Sequence, residues 1–266
     1  MTPGDHARAA ADLLEAERSL TQIGLLTLRH PEMAMDDAYA IQNAIYRAKL
    51  ADGRRVVGWK IGLTSRAMQS ALNINIPDSG ILFDDMVFGP GALIARGRFI
   101  QPRIEAEIAF VMKHPLEGTG VTRADVLAAT DYVAPSIEIL DTRIERRDAE
   151  TGATRKVFDT ISDNAANAGV VLGGARHDPK AIDLRWVGAI VSRDGVVEET
   201  GLGAGVLNDP VESVVWLAHR MANYAQSIQP GQIILSGSFI RPIECPSGSH
   251  LDADFGDFGR VSLSFE

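Results

Sequence analysis

Apolar residues recur at helical spacing through roughly the first fifty positions and at strand spacing through most of the remainder. Leu13, Leu14, Leu20 and Ile23 form a loose stripe. After a turn around His30 and Pro31, Ala38, Ile41, Ala44, Ile45 and Ala48 repeat on one helical face. Asp36 and Asp37 sit in the first turn, where carboxylates oppose the positive end of the helix dipole, and Gly53 stops the run. The pattern predicts a small helical N-terminal segment over residues 1–54 and a β-rich domain over 55–266. From Val56 onward come short Val- and Ile-rich runs, VVGWKIGLT, RIEAEIAFVM, DYVAPSIEIL, GVVLGG, WVGAIVSRDGVVEETG, GQIILSGS and RVSLSFE, separated by Gly, Pro and Asp. Asp194 and Gly195 between two alternating runs predict a type I′ hairpin. One late helix starts at Asp209, with Pro210 at its first position and Glu212 three residues after the cap. Val214, Val215, Leu217, Ala218 and Met221 form its apolar face. Many strands with few helices between them predict an α+β fold with a sheet-dominated core.

The chain carries a formal net charge of −9 and a pI near 5.2. Such a body is not drawn to nucleic acid or to anionic membrane surfaces, and the pairs Arg54–Arg55 and Arg146–Arg147 are too short to form a basic patch. Cys245 is the single cysteine, so no intrachain disulfide forms; it lies in the Pro-rich stretch PIECPSG, with nothing nearby that signals activation. The N-terminus lacks an apolar signal region, and no run of about 18 apolar residues occurs. A cytoplasmic setting is expected.

The carboxylates are the sharpest feature. In the strand RIEAEIAFV, Glu105 and Glu107 point one way while Ile104, Ala106 and Ile108 point the other. A second apolar strand carries Glu138 between Ile137 and Ile139. Two anions about 6–7 Å apart repel by roughly 2–3 kcal/mol at an effective dielectric near 20. Burial adds several kcal/mol for each charge, so the arrangement calls for a cation, and all-oxygen ligands suit Mg²⁺ or Mn²⁺. A half-exposed strand with its glutamates in water would give the same E-x-E pattern. Lys60 shares a strand face with Gly58 and Gly62, which predicts empty space on either side of an ammonium that donates to an anion or moves a proton; a surface lysine beside a bulge is the alternative.

Three further segments read as ligand-facing. Ser236 to Ser238 end an apolar strand; KVFDTISDNAANAG offers Lys156, Asp159, Ser162, Asp163 and Asn164; INIPDSGILFDDM places Asp78 in a loop bounded by Pro and Gly. Capping and turn chemistry explains such residues equally well. The histidines show no zinc-type spacing, and nucleophile-elbow, P-loop and dinucleotide fingerprints are absent.

Taken in order, GWKIGLTS, IPDSGILFDDM, the E-x-E strand, DYVAPSIEILDTR and KVFDTISDNAANAGVVLGG resemble the hydratase/decarboxylase branch of the fumarylacetoacetate hydrolase superfamily, from about residue 35 to the C-terminus. The resemblance implies a mixed β-sandwich or roll core, a homo-oligomer, and Mg²⁺ or Mn²⁺ held by Glu105, Glu107 and Glu138. It implies hydration of a 2-hydroxy-2,4-dienoate, with Lys60 and Asp78 catalytic and with Lys156, Ser162, Ser236 and Ser238 contacting substrate. Ser238 matches the second hydroxyl of the superfamily's T-G-T loop, where Phe239 replaces the usual Pro. An acid at Asp78 favours hydration over decarboxylation of a 2-oxo-3-enedioate, whose enzymes tend to carry an apolar residue there. Other readings are hydration of the shorter 2-oxopent-4-enoate, hydrolytic C–C cleavage of an acylpyruvate with His30 and Glu32 as a lid pair, and a metal-stabilised scaffold. Arg66, Arg103, Arg143, Arg155 and Arg241 are candidate partners for a distal substrate carboxylate.

Overall fold

The computed structural model describes residues 1–71 and 76–266. Helices α1 (Pro3–Ser19), α2 (Leu26–Arg29) and α3 (Met35–Ala51) come first. Thr2 caps α1 by accepting from the Asp5 amide at 3.2 Å, the Asp5 carboxylate accepts from the Thr2 amide at 3.0 Å, and Pro3 opens the first turn. Ala9, Ala10 and Leu13 of α1 pack on Ala38, Ile41 and Ile45 of α3, in a small apolar cluster closed by Ile144 and Ile161.

The rest comprises β1 (Val56–Gly62), α4 (Arg66–Ala71), β2 (Asp78–Phe83), β3 (Val87–Phe88), β4 (Ala92–Ile94), β5 (Arg103–Met112), α5 (Arg123–Ala129), β6 (Thr130–Leu140), α6 (Val157–Ser162), β7 (Asn167–Leu172), β8 (Gly188–Arg193), β9 (Val196–Leu202), α7 (Pro210–Ala222), β10 (Ile233–Leu235), β11 (Ile243–Glu244), β12 (His250–Asp254) and β13 (Arg260–Phe265). One eight-stranded sheet runs β2-β1-β10-β5-β6-β7-β3, with β11 also on β5; a five-stranded sheet runs β4-β13-β12-β8-β9. Ile104, Ile108, Ile137 and Ile139 of the first sheet share one buried cluster with Leu251, Ala253, Val261 and Leu263 of the second. Each such Ile, Leu or Val side chain contributes roughly 1.5–3 kcal/mol by leaving water. Helix α7 adds Val211, Val214, Leu217 and Met221 to that cluster, and Asp209 caps it by accepting from the Val211 amide at 3.0 Å. Asp194 (φ 53°) and Gly195 (φ 81°) make the turn between β8 and β9 with both residues left-handed, as a type I′ hairpin requires.

One expectation is corrected. Asp78 does not lie in a loop; it opens β2, opposite Gly62 of β1. All six residues of β2 are buried, so the alternation that signals a half-buried strand is missing. The Asn164 side chain holds this strand from the side, accepting from the Ile81 amide at 2.8 Å and donating to the Ile81 carbonyl at 2.9 Å.

A three-glutamate candidate active site

Antiparallel pairing of β5 with β6 sets Glu105 opposite Glu138 and Glu107 opposite Ser136, so all three glutamates share one face of the sheet. One carboxylate oxygen from each lies within 4.8 Å of the others. Glu107 and Glu138 are 0 % exposed, and Glu105 is partly exposed. The Gly237 amide donates to Glu107 Oε2 at 2.7 Å. Glu107 Oε1 and both Glu138 oxygens have no hydrogen-bond partner among the described residues. Gly237 adopts φ +114°, and a Cβ there would stand 2.4 Å from Thr64 Oγ1, so only glycine brings this amide to the carboxylate.

Lys60 reaches the same face. It pairs with Leu235 of β10, which pairs with Ala109 of β5, and its Nζ lies 3.6 Å from Glu138 Oε1. The space beside it is not empty, contrary to the expectation from its flanking glycines. A Cβ on Gly62 would sit 2.2 Å from Asp78 Oδ1 and 3.0 Å from Lys60 Nζ; one on Gly58 would meet the Ile233 carbonyl. Gly62 is bare so that Asp78 and Lys60 can converge over it. Both are buried, at 2 % and 4 % exposure, and Asp78 Oδ1 has no hydrogen-bond partner among the described residues.

Burial pushes the carboxyls up. Glu105 rises to about 8, through burial and then repulsion from Glu138, with Lys60 opposing. Glu107 rises well above the ordinary range for the same two reasons plus repulsion from Glu105. Glu138 and Asp78 also rise by burial, held back by Lys60. Burial works against the Lys60 ammonium, but Glu138, Asp78, Glu105 and Glu107 outweigh it and keep the amine protonated. Two buried carboxyls and a half-buried third, with oxygens that lack a partner among the described residues, fit a hard divalent cation: it would supply the missing partners and let all three ionise.

The other residues expected at the site are placed unevenly. Ser236 Oγ is buried and has no partner among the described residues, directly before Gly237. Lys156 is exposed, at the N-cap of α6. Two hydroxyls expected on substrate also make local hydrogen bonds: Ser162 Oγ donates to the Phe158 carbonyl at 2.8 Å, and Ser238 Oγ donates to the Ile240 carbonyl at 2.9 Å. Asp159 holds α6 against α2 through the Thr27 amide and hydroxyl, at 2.9 and 2.7 Å. Asp163 accepts from Arg143 Nε at 2.5 Å and from the Arg143 amide at 2.9 Å. That buried pair fixes the turn in which Asn164, Ala165 and Ala166 are all left-handed (φ 50°, 52° and 59°), a turn unmarked by glycine and therefore missed in the sequence. Among the candidate arginines, Arg143, Arg103 (2.7 Å to Glu244) and Arg241 (to Glu199) are paired, and Arg66 is exposed. Arg155 is half-buried; Nη1 donates to Thr142 Oγ1 at 2.5 Å, and no carboxylate pairs with it among the described residues. Burial pushes the Cys245 thiol up to about 12, which leaves it inert.

No family model matches the chain. Individual relatives do. The chain is 50% identical over 260 residues to 2-oxo-hept-4-ene-1,7-dioate hydratase of Escherichia coli, covering 98% of this chain and 97% of the relative. It is 40% identical over 255 residues to 2-hydroxyhexa-2,4-dienoate hydratase of Comamonas testosteroni, covering 95% and 94%. Among solved structures, 4-oxalocrotonate decarboxylase from Pseudomonas putida G7, complexed with magnesium and adipate, matches with a TM-score of 0.93 at 33% identity, over 100% of this chain and 99% of that one. The chain belongs to the hydratase/decarboxylase branch of the fumarylacetoacetate hydrolase superfamily, and its two packed sheets are that superfamily's mixed β-sandwich.

Proposed function

We propose that the protein is a divalent-metal-dependent hydratase that converts 2-oxo-hept-4-ene-1,7-dioate, through its 2-hydroxy-2,4-diene form, into 4-hydroxy-2-oxoheptanedioate. The observation that carries this is the set of unfilled Glu107 and Glu138 oxygens beside Lys60 and Asp78. The hydratase names of the relatives at 50% and 40% identity support the reaction, and the magnesium in the solved decarboxylase supports the metal. Glu105, Glu107 and Glu138 would hold Mg²⁺ or Mn²⁺, which when bound supplies Lewis acidity that stabilises negative charge at the C2 oxygen of a 2-oxo acid.

Ketonisation of the dienol moves a proton from the C2 hydroxyl to C5. Hydration then adds a hydroxyl at C4 and a proton at C3. Lys60, kept charged by the carboxylates around it, is the proton donor. Asp78, with a free Oδ1 and a raised pKa, takes the proton from water. Lys156 and Ser236 contact the substrate, and Arg155 receives the distal carboxylate, because its half-buried guanidinium pairs directly with no carboxylate among the described residues. Exposed Trp186, Ile190 and Leu202 on and beside the second sheet support a homo-oligomer, and the single cysteine supports a cytoplasmic setting. No helix of the described residues is long and apolar enough to cross a membrane.

The test offers five-, six- and seven-carbon 2-hydroxydienoates, with Mg²⁺ and with EDTA, and follows ultraviolet loss, labelled-water oxygen at C4 and CO₂. Expected are metal-dependent loss, label at C4, no CO₂, and a preference for the dicarboxylate that Arg155→Gln removes. Full activity after exhaustive chelation overturns the metal site; stoichiometric CO₂ without C4 label overturns hydration in favour of decarboxylation.

A further inference from the structure

A cavity of about 470 Å³ lies behind the strands that carry Lys60 and Asp78. Strand alternation explains the position: Trp59 follows the opposite face from Lys60, and Ser79 and Ile81 the opposite face from Asp78 and Gly80. Trp59, Ser79 and Ile81 therefore form one wall, α3 supplies Tyr39 and Tyr46, and the end of α7 supplies Arg220. The volume falls within the range of small-molecule sites.

The wall chemistry is specific. The Arg220 guanidinium lies 3.7 Å from the centre of the Tyr39 ring and 5.1 Å from that of Tyr224. Among the described residues no carboxylate pairs with it and no protein acceptor takes its N–H groups, so the fork is held flat by aromatic rings with its edge free. Asp36 is the one acid lining the cavity, and its side chain faces solvent. An aromatic wall beside an unfilled guanidinium edge matches a flat, conjugated acid: the carboxylate takes two N–H bonds and the plane stacks.

We propose that this cavity is a second ligand site, for a small planar carboxylate, bound through Arg220 and stacked against the aromatic side chains of α3 and β1. Its lining includes none of the three glutamates and neither Lys60 nor Asp78. Two sources share this chemistry, an aromatic acid and a conjugated dienoate; benzoate and sorbate represent them. Sorbate has no 2-hydroxyl, so it cannot chelate a metal as the substrate does.

Calorimetric titration of the full-length protein in excess EDTA tests the proposal. One equivalent of benzoate or sorbate should bind, and the tighter of the two identifies the source. Glu138→Gln should leave binding unchanged, and Arg220→Gln should weaken it by about tenfold or more, the loss expected for a charge-assisted pair. Gln226→Glu, which adds an anion to the same cavity, should weaken it as well and serves if Arg220→Gln does not fold. No binding of either acid, or binding that Glu138→Gln abolishes and Arg220→Gln leaves intact, overturns the proposal.

Discussion

Replacing Glu105 by Gln in the metal-free protein should stabilise the fold, and increasingly so as pH rises. In the folded chain Glu105 is pushed up to about 8 from an ordinary 4.5 by burial and by Glu138. Between those values the folded state keeps a proton that the unfolded chain has released. Stability of the parent is therefore full below the ordinary value, falls as pH rises, and levels off above about 8. Each proton contributes a slope of about 1.4 kcal/mol per pH unit. Two pH units inside the window, from roughly 5.5 to 7.5, would cost the parent about 2.7 kcal/mol. Glu105 is partly exposed, and solvent screening brings the expected value to about 1–2 kcal/mol. Glutamine occupies the same volume, does not titrate, and escapes this loss.

Urea unfolding followed by tryptophan fluorescence, at both pH values in EDTA and at one protein concentration, measures the difference directly. Glu105→Gln should gain on the parent between the two. Saturating Mg²⁺ should reverse the order, because ligand at a hundredfold excess over its Kd stabilises the parent by about 2.7 kcal/mol while the variant lacks one anionic ligand. A difference that does not change with pH in EDTA, or a parent that gains on the variant as pH rises, refutes the picture of three carboxyls crowded in a buried site.

Two further outcomes separate the roles of the neighbouring groups. Lys60→Met keeps the stem and removes the charge 3.6 Å from Glu138; turnover should fall by roughly 10²–10⁴-fold with metal affinity, read by titration calorimetry, little reduced. Asp78→Asn should slow hydration far more than ketonisation, so that stopped-flow absorbance shows the 2-oxo-3-ene accumulating; equal slowing of both steps would remove Asp78 from water activation.

Much of the fold was legible because most elements obey one period. The α3 face, the β8–β9 turn and the α7 cap each combine periodicity with the residue that local geometry requires. Strand β2 was not legible, since it is buried on both faces and its neighbours Asn164 and Gly62 come from distant segments. Strand β12, HLDAD, carries two aspartates that suggest a turn, yet it pairs with β13 on one side and β8 on the other. Tertiary pairing overrides propensity in both.

The candidate site divides along the same physical line. Glutamates in an apolar strand stand out because burying them demands a partner. Hydroxyls and loop acids do not stand out, because a turn or a helix end uses the same residues for its own backbone: Ser162, Ser238 and Asp159 all resemble ligand contacts and all tie down chain. The arginines show the limit most sharply. Arg103 finds Glu244 across 141 residues and Arg241 finds Glu199 across 42, so whether a guanidinium is spent or free is decided by partners that no local pattern reveals. Only after those pairings are known do Arg155 and Arg220 emerge as half-buried or ring-held cations with no directly paired carboxylate among the described residues. That distinction matters chemically, because a paired arginine must give up a carboxylate before it binds another, whereas an unpaired one gains by binding; selectivity for acids is therefore expected at Arg155 and Arg220, and not at the paired Arg103, Arg143 and Arg241.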